Sequence, residues 1–260
     1  MKKKTRVIAF CNQKGGVGKT TTCFNVGRAL SLCGFNVLLI DADPQGDLTT
    51  MSGHEITDDD FTLYDVLHKE DINKAIQTGE AVSVIPSDET LSRAEIDLLK
   101  APRTLFKDAL GRIETDFDFV LIDCPPSLNV LTINALTASN EIIIPVQSQY
   151  LALKGVARLK ETIAKTKETL NPDLKVGGVV VTFYDGRRNL DQQVRESLER
   201  SFGAKVYKTT ISINTKVAEA PSYGLSIFDY APRSRGASQY KALTDEIVGN
   251  MKPQRKKERS

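Results

Sequence analysis

The 260-residue chain carries 35 Lys and Arg against 33 Asp and Glu, is 40% hydrophobic, and contains four cysteines and no tryptophan. That apolar share can build a sizeable core at a length within reach of one α/β unit. No apolar run approaches the ~18 residues of a membrane-spanning helix, and Met1-Lys2-Lys3-Lys4 leads into no apolar leader stretch. Cys11, Cys23, Cys33 and Cys124 lack C-x-x-C spacing, so they read as small buried hydrophobes in a cytosolic chain rather than as a metal or redox set.

In chain order, apolar β-branched runs alternate with helical patterns, which predicts a mostly parallel twisted sheet with helices on both faces. Strands are expected at Arg6–Cys11, Asn36–Ile40, Val82–Ile85, Phe119–Ile122, Glu141–Pro145, Val176–Val181 and Lys205–Lys208. Long helices are expected at Thr20–Leu32, Asn129–Ala138, Leu151–Leu170, Asn189–Phe202 and Ser238–Met251. Gly34 is placed to stop the first helix and Asn171-Pro172 to stop the third. Without a repeat or an internal linker, residues 1–251 read as a single domain; residues 252–260 read as a basic, disordered tail too polar to pack. The balanced total hides a segregation: residues 41–123 hold seven basic against twenty acidic residues, and residues 185–260 hold fifteen against nine. A basic C-terminal part suits a face that meets a polyanion, with an ordinary solvated surface as the rival reading.

The chemistry sits at the strand ends. Lys14-Gly15-Gly16-Val17-Gly18-Lys19-Thr20 lies between the first strand and the first helix, the context a phosphate-binding loop requires. Glycines let backbone N–H groups turn inward, and the helix N-terminus adds partial positive charge. Lys19 is placed for the β/γ-phosphates of a nucleotide and Thr20 for Mg²⁺, with Thr21 beside them in the helix. The usual pattern would have glycine at position 13; here it is Gln13, and an additional lysine, Lys14, opens the loop. Lys14 is not needed by phosphates that Lys19 already serves.

Val37-Leu38-Leu39-Ile40 runs into Asp41-Ala42-Asp43-Pro44-Gln45-Gly46-Asp47, and Phe119-Val120-Leu121-Ile122 runs into Asp123. In an open parallel sheet, ligands sit beyond the carboxyl ends of the strands, so both groups can face the loop. Asp123 has the position of a Walker B acid that holds Mg²⁺ directly or through water. Asp41 and Asp43 are both candidates for touching Mg²⁺ or its waters, and one of them for orienting an attacking water. Pro44 and Gly46 make that loop stiff and turned.

Together, Lys14–Thr20, Asp41–Asp47 and Asp123–Ser127 resemble the deviant Walker A ATPases of the ParA/Soj partition family, relatives of MinD. Tyr184-Asp185-Gly186-Arg187, Ala218-Glu219-Ala220-Pro221-Ser222 and Pro232-Arg233-Ser234-Arg235-Gly236 extend the resemblance from about Arg6 to Val248. The resemblance implies a P-loop NTPase fold, ATP and Mg²⁺, and an ATP-sandwich homodimer in which Lys14 reaches the partner subunit's phosphates. It further implies Asp43 at the hydrolytic water, metal contacts through Thr20, Asp43 and Asp123, and Asn214 beside the adenine. The dimer would bind double-stranded DNA without sequence preference. An activator protein of the ParB/Spo0J type would stimulate hydrolysis, in a nucleoid-associated cytoplasmic cycle that segregates a chromosome, plasmid or mobile element. Where many relatives have Pro-Arg-Asn, this chain has Ser212-Ile213-Asn214, which weakens the adenine contact at position 212 and removes a basic group. Lys216, Arg233, Arg235 and Lys241 remain as candidates for DNA phosphate contacts.

Three rivals share the loop. A MinD-like membrane-cycling ATPase needs an apolar-faced C-terminal helix, and beyond Met251 the chain has no Leu, Ile, Val, Phe or Trp, so no membrane partner is expected. A cluster-carrying ATPase needs cysteines that bridge two subunits. A metabolic P-loop enzyme needs an acceptor pocket with a distinctive polar cluster, which the sequence does not display.

Overall fold

In β-strands, alternate residues point to opposite faces, and a sheet covered on both sides needs apolar residues at every position. Val37–Asp41 and Phe119–Asp123 meet that condition, being buried at all positions. The computed structural model describes residues 5–79, 82–149, 152–249 and 251, for 152–154 the backbone alone. Lys2–Lys4 and the tail expected at 252–260 lie outside the described residues.

The strands are β1 (Arg6–Phe10), β2 (Val37–Asp41), β3 (Gln77–Thr78), β4 (Ser83–Ile85), β5 (Phe119–Asp123), β6 (Glu141–Gln147), β7 (Lys175–Thr182) and β8 (Val206–Ile211). Among the described residues they form one eight-stranded sheet in the order β3-β4-β2-β5-β1-β6-β7-β8. Every pairing is parallel except β3 with β4. The expected parallel sheet is therefore present, with the two-residue β3 as an addition too short to leave a pattern in sequence.

The helices are α1 (Lys19–Leu32), α2 (Asp47–Met51), α3 (Leu63–Leu67), α4 (Ile72–Ala75), α5 (Leu91–Asp97), α6 (Leu105–Leu110), α7 (Val130–Ala138), α8 (Ala152–Thr169), α9 (Asn189–Phe202), α10 (Thr215–Glu219), α11 (Ile227–Tyr230) and α12 (Arg235–Val248). The five long helices expected from sequence are α1, α7, α8, α9 and α12. The last starts at Arg235 rather than Ser238, because the Ser234 hydroxyl accepts from the Ala237 N–H and caps the helix there. The short helices between residues 47 and 110 escape a periodicity search. Their signals are local: Thr62 and Asp65 make a capping box at α3, and Asp71 caps α4.

Two apolar layers flank the sheet. One gathers Leu38, Ile40, Val120 and Ile122 with side chains of α3, α5–α7, α8 and α9. The other gathers Val37, Leu39, Phe119 and Leu121 with α1 and α12. Odd-numbered positions of β2 and β5 thus face α1, and the same parity carries Asp41 and Asp123 onto the α1 side. Gly27 lets α1 come close, since a Cβ there would stand 2.6 Å from Leu39 Cδ2. The outer edge of β8 is covered by α12: Glu246 accepts from the backbone N–H groups of Lys208 and Thr209, both at 2.8 Å, which removes an open edge for pairing.

Candidate functional site

The loop between β1 and α1 turns through glycine conformations. Gly16 has φ 67° and Gly18, the α1 N-cap, has φ 80°, a left-handed geometry that suits glycine. No side chain caps this helix, so its first N–H groups are left for an anion. The ends of β6 and β7 hold the loop from outside. Thr182 Oγ1 donates to the Val17 carbonyl at 2.8 Å, and the ring of Phe183, itself at φ 53°, lies against Gly18.

Asp41 and Asp123 are register partners at the ends of β2 and β5, so two carboxylates stand side by side under the loop. Both are fully buried, and the structure divides their work. Asp41 spends both oxygens locally: Oδ2 accepts from Thr49 N and Thr49 Oγ1 at 2.9 and 2.8 Å, and Oδ1 accepts from Asp43 N at 3.2 Å. The sequence left Asp41 open as a contact to Mg²⁺; its hydrogen bonds make it the organiser of the 41–49 loop. Burial, then the charge of Asp123, pushes its carboxyl up to about 8, against the pull of the Thr49 and Asp43 donors. Asp123 has no hydrogen-bond partner on either oxygen. Burial pushes it up to about 7, while the Lys19 charge and the Thr20 hydroxyl pull it back.

Asp43 lines the cleft, with Oδ1 accepting from Gln45 N at 3.1 Å. Burial raises its carboxyl above the usual range, opposed by the Gln45 N–H and by Lys19. Its loop is held by a residue that sequence reading passed over. Ser87, just past β4, donates from Oγ to the Asp43 carbonyl at 2.9 Å and from its N–H to Thr49 Oγ1 at 3.0 Å. Gly46, at φ 66°, allows this approach: a Cβ there would meet the Ser87 carbonyl oxygen at 2.8 Å.

The cleft has a volume of about 560 Å³ and is lined by Gly15, Gly16 and Gly18–Thr21 at the loop, with Asp43, Gln45 and Asp47 opposite. Thr50, Met51, Pro221 and Ser222 bound its other side. The last two arrive because α1 docks the C-terminal segment: Asn25 Oδ1 accepts from Ile227 N at 2.8 Å, and Arg28 pairs with Asp229 in a two-point contact of 2.7 and 2.9 Å. Only a weak signal, the Ala220-Pro221-Ser222 block, marked that segment in sequence. Asn214 is not among the lining residues. Its Oδ1 caps α10, accepting from Lys216 N and Val217 N.

Two oxygens of one buried, unpartnered carboxylate beside a threonine hydroxyl and a second carboxylate make a hard donor set that fits Mg²⁺. Such an ion is ordinarily held by one or two carboxylates together with substrate phosphates and water. Among the described residues no group of three or more His, Cys, Asp and Glu offers an all-protein cage, which agrees with that mode. Cys124 is fully buried, so it cannot reach across to a second subunit, and the hydrogen bond with Cys11, then burial, raises its thiol well above the usual range.

The remaining candidates lie away from the cleft. Lys241 is ion-paired with Asp245 at 2.6 Å, and Lys216 with Glu219 at 2.8 Å. Arg233 and Arg235 are exposed and have no ion pair among the described residues. Arg235 lines a second cavity of about 690 Å³ with Arg187, Arg188, Tyr184 and Ser212, a gathering of arginines that sequence spacing did not reveal.

A parallel sheet, a glycine loop capping α1 and paired acids at the adjacent strand ends define a P-loop nucleotide-binding protein of the deviant Walker A type. Residues 5–176 match the family model described as an AAA domain. The sporulation initiation inhibitor protein Soj of Bacillus subtilis (strain 168) is 46% identical over 251 residues, 94% of this chain and 99% of that protein. The chromosome partitioning protein ParA of Caulobacter vibrioides is 45% identical over 250 residues, 94% of each. A solved structure of cobyrinic acid a,c-diamide synthase from Mycobacterium smegmatis with bound ADP and magnesium is similar with a TM-score of 0.81 and 36% identity, covering 93% of both chains. The chain belongs to the ParA/Soj family of chromosome-partitioning ATPases, and it is an ATPase.

Proposed function

We propose that two copies of this chain pair when loaded with ATP and Mg²⁺, that the pair holds double-stranded DNA without reading its sequence, and that hydrolysis to ADP and phosphate releases it. Lys19 and the loop N–H groups hold the β- and γ-phosphates, and Thr20, Asp43 and Asp123 hold the Mg²⁺. The ion supplies charge neutralisation between those phosphates. Asp43 orients the attacking water, held in place by Gln45 and Ser87. Asn214 reaches the base through Nδ2, its oxygen being spent on α10. An activator of the ParB type stimulates the slow basal reaction. The cycle runs on the nucleoid in the cytoplasm and moves a chromosome, plasmid or mobile element.

The observation that carries this reading is Lys14. Its ammonium lies at the end of β6, bonded to Gln147 and Gln149, and it does not line its own cleft. A cation that stands outside its own cleft, bonded only to neutral acceptors, is available to another subunit's phosphates. Arg233 and Arg235 lead the DNA face, with Lys216 and Lys241 contributing after release from their acidic neighbours. Against a membrane partner stands α12, whose apolar residues Tyr240, Leu243 and Ile247 are buried in the core rather than offered to lipid.

DNA co-sedimentation with ATP, ADP or no nucleotide, at two salt concentrations, tests the proposal. Binding that requires ATP and falls steeply with salt supports it; equal binding in all three states refutes it. The name of the mycobacterial relative carries a second reading, ATP-dependent amidation of a small acid. Turnover stimulated by such an acid and indifferent to DNA would favour that reading.

A further inference from the structure

Lys14 is half-buried and held in place. Beneath it, Asn12 Nδ2 donates to the Pro145 carbonyl at 2.6 Å, and Asn12 Oδ1 accepts from the Lys14 backbone N–H at 3.0 Å. The loop's front is thereby pinned to β6. From this anchored backbone the side chain follows the end of β6, where Nζ donates to Gln147 Oε1 at 3.1 Å and to Gln149 Oε1. The two glutamines are alternate positions, tied to each other by a 2.7 Å bond from Gln149 N to the Gln147 carbonyl. Both acceptors are neutral, and Lys14 has no ion pair among the described residues. Lys19, by contrast, sits in the field of Asp43 and Asp123. Carboxamide oxygens orient an ammonium without cancelling its charge.

We propose that Gln147 and Gln149 form a seat on Lys14's own subunit, and that leaving this seat sets the concentration at which ATP-loaded copies pair. The inference rests on the cross-subunit role of Lys14 given above. An equilibrium shifts only by the difference in interaction between its two states. Hydrogen bonds from a charged donor are stronger than neutral ones, and these two exist only while Lys14 stays in cis. The seat therefore stabilises the unpaired form, and a pair formed by two copies must empty two seats. Gln147 and Gln149 are positioning residues: they act through Lys14, not on phosphate.

The test is analytical ultracentrifugation of the full chain, saturated with Mg²⁺ and a non-hydrolysable ATP analogue, across a range of protein concentrations. The double variant Gln147→Ala/Gln149→Ala should pair with a dissociation constant about tenfold lower, equivalent to about 1.4 kcal/mol. Gln149→Glu, whose carboxylate grips the ammonium and cancels its charge, should pair about tenfold more weakly. Analogue affinity of the unpaired chain should be the same in all. Unchanged or weaker pairing in the double variant overturns the inference. So does any effect of the glutamine substitutions in a Lys14→Ala background, because the seat can act only through that side chain. If Lys14→Ala alone pairs like the wild type, the cross-subunit reading fails and the inference falls with it, an outcome distinct from the others.

Discussion

Replacing Asp123 with asparagine should make the nucleotide-free protein more stable at pH 8 while removing Mg²⁺-dependent ATP binding. The carboxyl is fully buried, has no hydrogen-bond partner on either oxygen, and is pushed up from 3.8 to about 7. In the unfolded chain the group loses its proton near its ordinary value; in the native state it keeps it until about 7. The native state therefore holds more protons across that window, and stability falls as pH rises from about 4 to about 7. At about 1.4 kcal/mol per pH unit, the loss has a ceiling of about 4 kcal/mol above pH 7. Relaxation and water entry reduce such costs, so the expected gain for the variant is roughly 1–3 kcal/mol. For a chain of this size that is a rise in melting temperature of roughly 2–10 °C. The charge that raises Asp41 disappears as well, which adds to the gain. Thermal unfolding in EDTA, followed by circular dichroism from pH 4.5 to 8, provides the assay. The difference between variant and wild type should be near zero at the acid end and grow towards pH 7. A variant no more stable than wild type at pH 8, or a difference that does not change with pH, would refute the account of a buried, unpaired carboxylate awaiting its cation.

Three other substitutions test separate parts of the site and fold. Asp43→Ala, which leaves Thr20 and Asp123 to hold the Mg²⁺, should weaken ATP binding far less than it slows single-turnover hydrolysis, which falls at least about 100-fold, as expected when the group that positions the water is lost. Gly46→Ala places a side chain at φ 66° against the Ser87 carbonyl. It should cost roughly 2–4 kcal/mol in urea unfolding and lower kcat more than it raises KM, because the displaced segment carries Asp43. Glu246→Ala leaves the Lys208 and Thr209 N–H groups without their acceptor and should cost roughly 1–3 kcal/mol. Since it also opens the β8 edge, light scattering at high protein concentration should rise in that variant and not in Gly46→Ala.

Much of the site was legible because its chemistry is written locally. A glycine loop, the lysine that ends it and the threonine beside it form one short segment whose backbone geometry needs those residues. Asp41 and Asp123 each end an unbroken apolar run, so the strand ends and their acids could be read without knowing their neighbours. The same holds for the five long helices, whose length gives a pattern strong enough to see. Short helices held by single caps, such as α3 and α4, lack that length. The role of Asn214 was drawn from resemblance, whereas the position it occupies is dictated by two backbone N–H groups at the start of α10.

The order of the strands was decided elsewhere. No local pattern states that β2 lies beside β5, or that residue 41 is level with residue 123, because parallel pairing joins segments separated by a helix and many residues. Once that pairing exists, parity places both acids on the α1 face, and their competition follows: one is satisfied by Thr49 and Asp43, the other is left with bare oxygens for a cation. Pro221 and Ser222 reach the cleft, Ser87 reaches the loop that carries Asp43, and Gln147 and Gln149 reach Lys14, by the same long-range assembly. The sequence determined which groups can do phosphate chemistry, since that depends on residue type and on the bonds to immediate neighbours. The tertiary structure decided which of them are engaged and which are free, since burial and hydrogen-bond partners come from parts of the chain far apart in sequence.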